Sequence, residues 1–156
     1  MARYASKPGT GSEPRGGRRK ARELVLRALV ESDLTGDAVL DVLELSLGKF
    51  RLTLEGRDYA LRLARSIGGD VSSADEAVGR LLLEWDLKRL GTVERAVLRL
   101  AYAELRWHGE VEVRVILDEA VRLAKRYGDE KAGSFVNGVL DPLAFSLRPE
   151  ELRGGP

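Results

Sequence analysis

The chain has 156 residues and no cysteine, which excludes a disulfide framework, thiolate metal sites and a cysteine nucleophile. Its length is typical of one domain that buries a core without disulfides or metal, and its net charge of +1 excludes a uniformly basic protein. No apolar run approaches the roughly 20 residues that span a bilayer, and no hydrophobic secretory signal is visible. We therefore expect a cytoplasmic protein that does not enter a membrane.

A basic segment opens the chain. Residues 1–22 carry seven lysines and arginines against one glutamate, a charge of +6, so the remaining residues sum to −5. Glycine, proline and scattered charge dominate residues 1–17, which we expect to form a disordered basic arm. A basic end on a mildly acidic body is typical of a protein that contacts phosphate, although a solubilising tail fits the composition equally well.

Three amphipathic helices are predicted in the N-terminal helical group, residues 18–69. Apolar side chains recur there at i, i+3, i+4 and i+7, and glycines separate the periodic runs. The pair Gly68-Gly69 ends the third run and marks the boundary of the group. The predicted helices cover about residues 18–33, 37–47 and 53–67.

Four more helices are predicted in the C-terminal helical group, residues 70–147. In the run SADE we expect Ser73 and Glu76 to form a capping box, and Thr92 should cap the following helix. The run VEVRVIL alternates like a strand, but its continuation keeps helical register to Gly128, so we predict a helix. The four helices cover about residues 73–85, 92–107, 111–127 and 130–145, and a flexible tail is predicted at 148–156.

These elements predict an all-α fold, a single domain of about seven helices in two packed helical groups. Three residues of the last predicted helix are unusual within a helix, and their presence there requires a physical explanation. Gly138 costs about 1 kcal/mol relative to alanine, so we expect it to admit a close helix contact. Asn137, the only asparagine, should satisfy a polar group buried at that contact. Pro142 predicts a kink or an early end near Leu140.

Arginines at the start of the first helix have a spacing suited to nucleic acid. If the helix extends back to Arg15, then Arg15, Arg18, Arg19 and Arg22 form one stripe at i, i+3, i+4 and i+7. Arginine binds phosphate bidentately and stacks on unpaired bases, which favours single-stranded RNA over duplex DNA. A plain solvated face has the same pattern.

Catalytic and cofactor signals are weak. His108 is the only histidine and follows a predicted helix end, where capping is its more usual role. The chain has no phosphate-binding glycine loop, nucleophile elbow or zinc-binding histidine motif. We therefore expect no enzyme, no cofactor and no metal site.

Three segments carry a family resemblance: RRKARELVLRAL at 18–29, EWDLKRLGTVERAVLRLAYAEL at 84–105 and DEAVRLAKRYGDEKAGSFVNGVLD at 118–141. In this order and spacing they resemble the bacterial transcription antitermination family NusB. The resemblance implies an all-helical, non-catalytic protein that binds the boxA element of ribosomal RNA transcripts. It also implies a heterodimer with NusE, the ribosomal small-subunit protein, that joins RNA polymerase with the other Nus factors.

The resemblance assigns RNA contact to two parts of the chain. The start matching RRKAR implies contact through Arg18, Arg19 and Arg22, with Arg15 and Lys20 as helpers. The segment GDEKAGSF implies a second RNA-facing edge, formed by Lys131 and Phe135, although the spacing from Phe135 to Val139 also suits a core residue.

A partner surface and two alternatives complete the predictions. The segment LLLEWDLKRLGTVERAVLR resembles the surface that receives NusE, which implies contact through Lys88, Glu94 and Arg99. One alternative is a non-catalytic helical interaction module, for instance a homodimer that hides its basic helix. The other is a regulator of rRNA methylation, because the last two matching segments also resemble the N-terminal domain of rRNA cytosine methyltransferases.

Overall fold

The computed structural model describes residues 17–82 and 90–153. Every regular element in these ranges is a helix, which confirms the predicted all-α fold. The predicted basic arm lies outside them except for Gly17, the first residue of α1. The described residues form eight helices: α1 (Gly17–Thr35), α2 (Val39–Leu47), α3 (Leu54–Gly69), α4 (Val71–Leu81), α5 (Thr92–Trp107), α6 (Val113–Tyr127), α7 (Ala132–Leu147) and α8 (Pro149–Arg153). None of these helices is both long and apolar enough to span a membrane.

The described residues from Gly17 to Gly69 form a first helical unit, in which α1, α2 and α3 each pack on the other two. Val25, Leu43 and Leu63 lie in its core with no exposed surface, as the helical spacing of apolar residues predicts. Gly56 allows α3 to begin close to α1. A Cβ added there would lie 2.7 Å from the carbonyl oxygen of Gly17, so a larger residue would force the two helices apart.

The described residues from Asp70 to Arg153 form a second unit, in which α7 packs against α4, α5, α6 and α8. Helix α5 is buried along most of its length, and even Glu104 on it is only 1% exposed. A glycine also sets the approach of α6 to α7. A Cβ added to Gly133 would lie 2.7 Å from Cγ of Lys125, so glycine lets the lysine side chain cross the start of α7.

The expected packing role of Asn137 and Gly138 is wrong. Both residues are exposed, and a Cβ on Gly138 would meet no atom within 4 Å. The early end expected at Pro142 is wrong too, since α7 continues to Leu147. Proline removes one N–H donor, but Leu143 beyond it is 2% exposed, and burial of that turn keeps the chain helical.

At two helices the N-terminal cap is a residue other than the one predicted from the sequence. Asp70, not Ser73, caps α4, because its carboxylate accepts the backbone N–H of Ser73 at 3.0 Å. The hydroxyl and then the backbone N–H of Ser73 hold the pKa of this exposed carboxyl below its ordinary value. Helix α4 ends at Leu81, short of the predicted end. Thr92 is the first residue of α5, and Gly91 occupies the cap position.

The flexible tail predicted from residue 148 is wrong for its described part, which forms α8 and a side-chain clamp at Arg148. Its guanidinium donates four hydrogen bonds to carbonyl groups at the end of α5 and in the turn that follows. The acceptors are the carbonyl oxygens of Glu104, Leu105, His108 and Val111, at 2.7, 2.9, 2.9 and 2.6 Å. The carbonyls of Glu104 and His108 also accept a backbone N–H, so Arg148 adds a charged donor to them, and a cation near a helix C-terminus complements the helix dipole.

Glu151 extends this clamp to the next helix. Its carboxylate accepts the backbone N–H of Val113 at 2.7 Å, at the first residue of α6, and pairs with Arg148 at 3.2 Å. One short segment therefore bonds to carbonyls in the last turn of α5 and in the turn that follows, and to the first amide of α6. The clamp holds the α5–α6 turn in place.

Candidate nucleic-acid interface

Arginines of the first two turns of α1 lie around one aromatic ring of α3. The guanidinium of Arg18 lies 4.8 Å from the ring centroid of Tyr59, and that of Arg22 lies 5.7 Å from it. Arg62 of α3 approaches the same ring at 5.3 Å. Tyr59 is fully buried, and a desolvated cation–π contact contributes about 2 kcal/mol. This cluster joins the start of α1 to α3.

The four-residue spacing explains the cluster and corrects one prediction. Arg18 and Arg22 share a helix face because they are one turn apart, and this face turns towards α3. Arg22 is 1% exposed, so it does not belong to a solvent-facing stripe. Arg18 is partly buried and pairs with Glu55 at 3.8 Å.

Of the predicted stripe, Arg18 and Arg19 are the described members that keep exposed surface, and Lys20 beside them is the predicted helper. Arg19 is partly buried, Lys20 is exposed, and both follow Arg18 at the start of α1. Arg15 lies outside the described residues. A sequence signal for the burial of Arg22 existed, since Val25, Leu26 and Leu29 follow it at i+3, i+4 and i+7 and are all buried.

The second predicted RNA edge lies at the turn between α6 and α7. Lys131 is exposed at the cap position of α7, and its backbone N–H donates to the carboxylate of Asp129 at 2.9 Å. Phe135 is partly buried one turn later. Both side chains line an open hollow of about 570 Å³ between this turn and the start of α5.

Glu94, predicted to contact NusE, lines the same hollow. It lies in the first turn of α5, where a carboxylate complements the helix dipole, and folds back over Gly91. Glu94, Lys131 and Phe135 thus line one hollow, although the sequence assigned Glu94 to NusE and the other two residues to RNA. Lys88 lies outside the described residues.

Arg99, the remaining predicted partner residue, holds α5 to α4. Its Nε and Nη2 donate to the two carboxylate oxygens of Asp75, each at 2.8 Å. The side chains are 16% and 30% exposed. This bidentate geometry makes the pair stronger than a typical surface ion pair. The contact of Arg99 with NusE stays a prediction.

A double-mutant cycle measures the Asp75–Arg99 pair. We expect Arg99→Ala to lower the free energy of unfolding by about 1–2 kcal/mol, with a coupling energy to Asp75→Ala of about 1 kcal/mol in urea unfolding. The exposed pair Glu76–Arg80, at 3.6 Å within α4, is the control and should couple by less than about 0.5 kcal/mol. Equal coupling in the two pairs would contradict the role of the Asp75–Arg99 pair in holding α4 to α5.

Metal chemistry has no support in this part of the molecule. Among residues 17–82 and 90–153, no three histidine, aspartate or glutamate side chains stand close enough to hold an ion. Charged side chains, one aromatic edge and an open hollow are suited to binding a macromolecule.

Comparison with known proteins identifies the family. Residues 19–145 match the NusB family. The chain belongs to the NusB family. This confirms the resemblance seen in the sequence and the expectation of a non-catalytic protein. The transcription antitermination protein NusB of Pseudothermotoga lettingae is 40% identical over 136 residues, which are 87% of this chain and 96% of that protein.

Solved structures give the same result. NusB of T. maritima has a TM-score of 0.81 at 36% identity, covering 87% of this chain and 96% of that chain. A structure of antitermination factors NusB and NusE in complex with dsRNA has a TM-score of 0.75 at 32% identity, covering 83% of this chain and 96% of that chain.

Proposed function

We propose that this member of the NusB family is a transcription antitermination factor. It binds the boxA element of rRNA transcripts together with NusE and joins the RNA polymerase elongation complex with other Nus factors. The observation that carries the proposal is the similarity, over 83% of the chain, to the structure of NusB and NusE with dsRNA. Binding to nascent transcripts takes place in the bacterial cytoplasm.

The RNA contacts proposed on α1 are Arg18, Arg19 and Lys20. These residues combine a positive charge with at least partial exposure, and Arg22 supports them from below by packing on Tyr59 with Arg18. Three phosphate contacts on a single strand correspond to a log–log salt slope of about −2. Lys131 and Phe135 form the second contact, at the edge of the hollow beside α5.

The NusE surface proposed on α5 includes Glu94 and Arg99, with Lys88 in the segment before it. Glu94 supports this assignment because its carboxylate lies at the open hollow. Arg99 acts mainly by fixing α4 against α5, which holds the surface in one shape.

Competition with three RNAs tests the function. We expect the complex with NusE to prefer single-stranded boxA over a scrambled strand by about tenfold or more, and the chain alone to show little preference. A boxA duplex is the third competitor and should compete less well than single-stranded boxA, because unpaired bases expose the edges that specify sequence. The assay is fluorescence anisotropy at several salt concentrations.

Two variants and two contrary outcomes sharpen this test. Arg19→Ala with Lys20→Ala should weaken RNA binding and leave the NusE complex intact, whereas Arg65→Ala, an exposed arginine of α3, should change neither. A homodimer without any salt-linked RNA binding would favour the interaction module. Binding to an rRNA methyltransferase domain and not to NusE would favour the methylation regulator.

A further inference from the structure

A second basic face of α1 points away from the arginine–tyrosine cluster. Lys20 follows Arg18 by two residues, which is about 200° around the helix. Arg27 lies two turns beyond Lys20 on the same face, and both side chains are exposed. This face therefore stays accessible while Arg22 is buried.

The turn between α2 and α3 approaches this face and exposes an aromatic ring. Phe50 is 43% exposed, and the guanidinium of Arg27 lies 5.7 Å from its ring centroid. Arg51 beside it is exposed. A shallow hollow of about 90 Å³ opens between helix and turn, and its lining consists of Lys20, Glu23, Leu24, Arg27, Phe50, Arg51 and Leu52.

Charge and size decide what this hollow can hold. Three cations line it against one carboxylate, that of Glu23, so an anionic ligand is favoured. The hollow is small and open, which suits a flat group lying against the exposed ring rather than a protein helix about 10 Å across. An accessible aromatic ring beside cations is the composition that binds unpaired nucleotides, since bases stack on the ring while phosphates meet the cations.

We infer that Phe50 is a stacking platform for one unpaired base of bound RNA, with Arg27 and Arg51 contacting the adjacent phosphates. The inference rests on the proposed function and deepens it. It adds a third contact for the same RNA, on the single strand that flanks boxA, on the face of α1 turned away from Arg22. Arg27 also orients the ring through its cation–π contact.

Replacement of Phe50 tests the platform. The complex with NusE is titrated with two RNAs, boxA alone and boxA with single-stranded flanks. We expect Phe50→Ala to weaken binding of the flanked RNA by about tenfold and to leave boxA alone nearly unchanged. Phe50→Trp should retain full affinity and Phe50→Leu should not, because only an aromatic ring stacks. Leu45→Ala removes another exposed apolar side chain of this unit and should have no effect.

The phosphate contacts are tested by salt dependence. Arg51→Ala should make the log–log slope for the flanked RNA less steep by about 0.7, and no such change is expected for boxA alone. A crosslink between Phe50 and an iodouridine in the flank, but not in boxA, would support the platform directly.

Three outcomes overturn the inference. The first is wild-type affinity of both Phe50→Ala and Phe50→Leu for flanked RNA. The second is equal loss with Phe50→Trp and Phe50→Leu, which would make the ring a packing residue. The third is a change in oligomeric state without a change in RNA binding, which would make the hollow a protein contact. Failure of the wild-type complex to prefer boxA would instead refute the proposed function.

Discussion

Replacement of Arg148 with alanine is expected to lower the free energy of unfolding by about 2–4 kcal/mol. Its side chain is only 11% exposed, and the guanidinium donates the four hydrogen bonds to the end of α5 and the turn after it. Without it, these carbonyl groups lose a charged donor, and those that stay buried lose a partner that water cannot fully replace. Glu151 would also lose the cation that orients it towards Val113.

Thermal and urea unfolding measure this effect. For a chain of this size, about 3 kcal/mol corresponds to a Tm lower by roughly 10 °C. Arg148→Lys should recover only part of the loss, because an ammonium group lacks the planar fork that meets several carbonyls at once. Arg114→Ala, an exposed arginine of α6, is the control and should stay within about 0.5 kcal/mol of wild type. An equally small effect of Arg148→Ala would contradict the clamp.

A second large effect is expected at Arg22. Replacement with alanine removes a nearly fully buried side chain between α1 and α3 and a cation from the ring of Tyr59. We expect a loss of about 2–4 kcal/mol in urea unfolding, from the cavity and the lost cation–π contact together. The exposed Arg65→Ala should again change stability by less than about 0.5 kcal/mol.

The same variant distinguishes a structural arginine from an RNA-binding one. At a temperature where Arg22→Ala remains folded, its RNA affinity should fall less than that of the double variant Arg19→Ala and Lys20→Ala. The double variant should keep wild-type stability. If Arg22→Ala instead unfolds like wild type and abolishes RNA binding, its side chain turns outward in solution, and the single stripe predicted from the sequence is correct.

Local patterns were sufficient for the fold class and the family. Apolar side chains at helical spacing predicted seven of the eight described helices, including α6, whose first residues alternate like a strand. This works because a helix forms by bonds between residues three or four apart, and its apolar face must be buried somewhere. The motifs that identify the family are local segments of the same kind.

The candidate site was only partly predictable. The exposed positions of Lys20 and Lys131 agree with their assignment as surface cations, and the spacing of Arg22 before Val25 could have indicated its burial. The approach of Phe50 to α1 had no local signal, because a single aromatic residue in a turn is compatible with several positions. The partner of Arg99 also depends on how α4 packs on α5, since Asp75 lies 24 residues earlier in the chain.

The amino-acid sequence by itself determined the helices, the absence of cysteine chemistry and the membership of the NusB family. Composition is enough for the second, and the helices and family motifs depend on residues that are close along the chain. Tertiary structure decided what individual side chains do. Arg148 belongs to a predicted tail in the sequence, but in the structure its guanidinium donates to the carbonyl of Leu105, 43 residues away. A pattern records only which residues are close along the chain, whereas burial and hydrogen bonding depend on what lies across the packed helices.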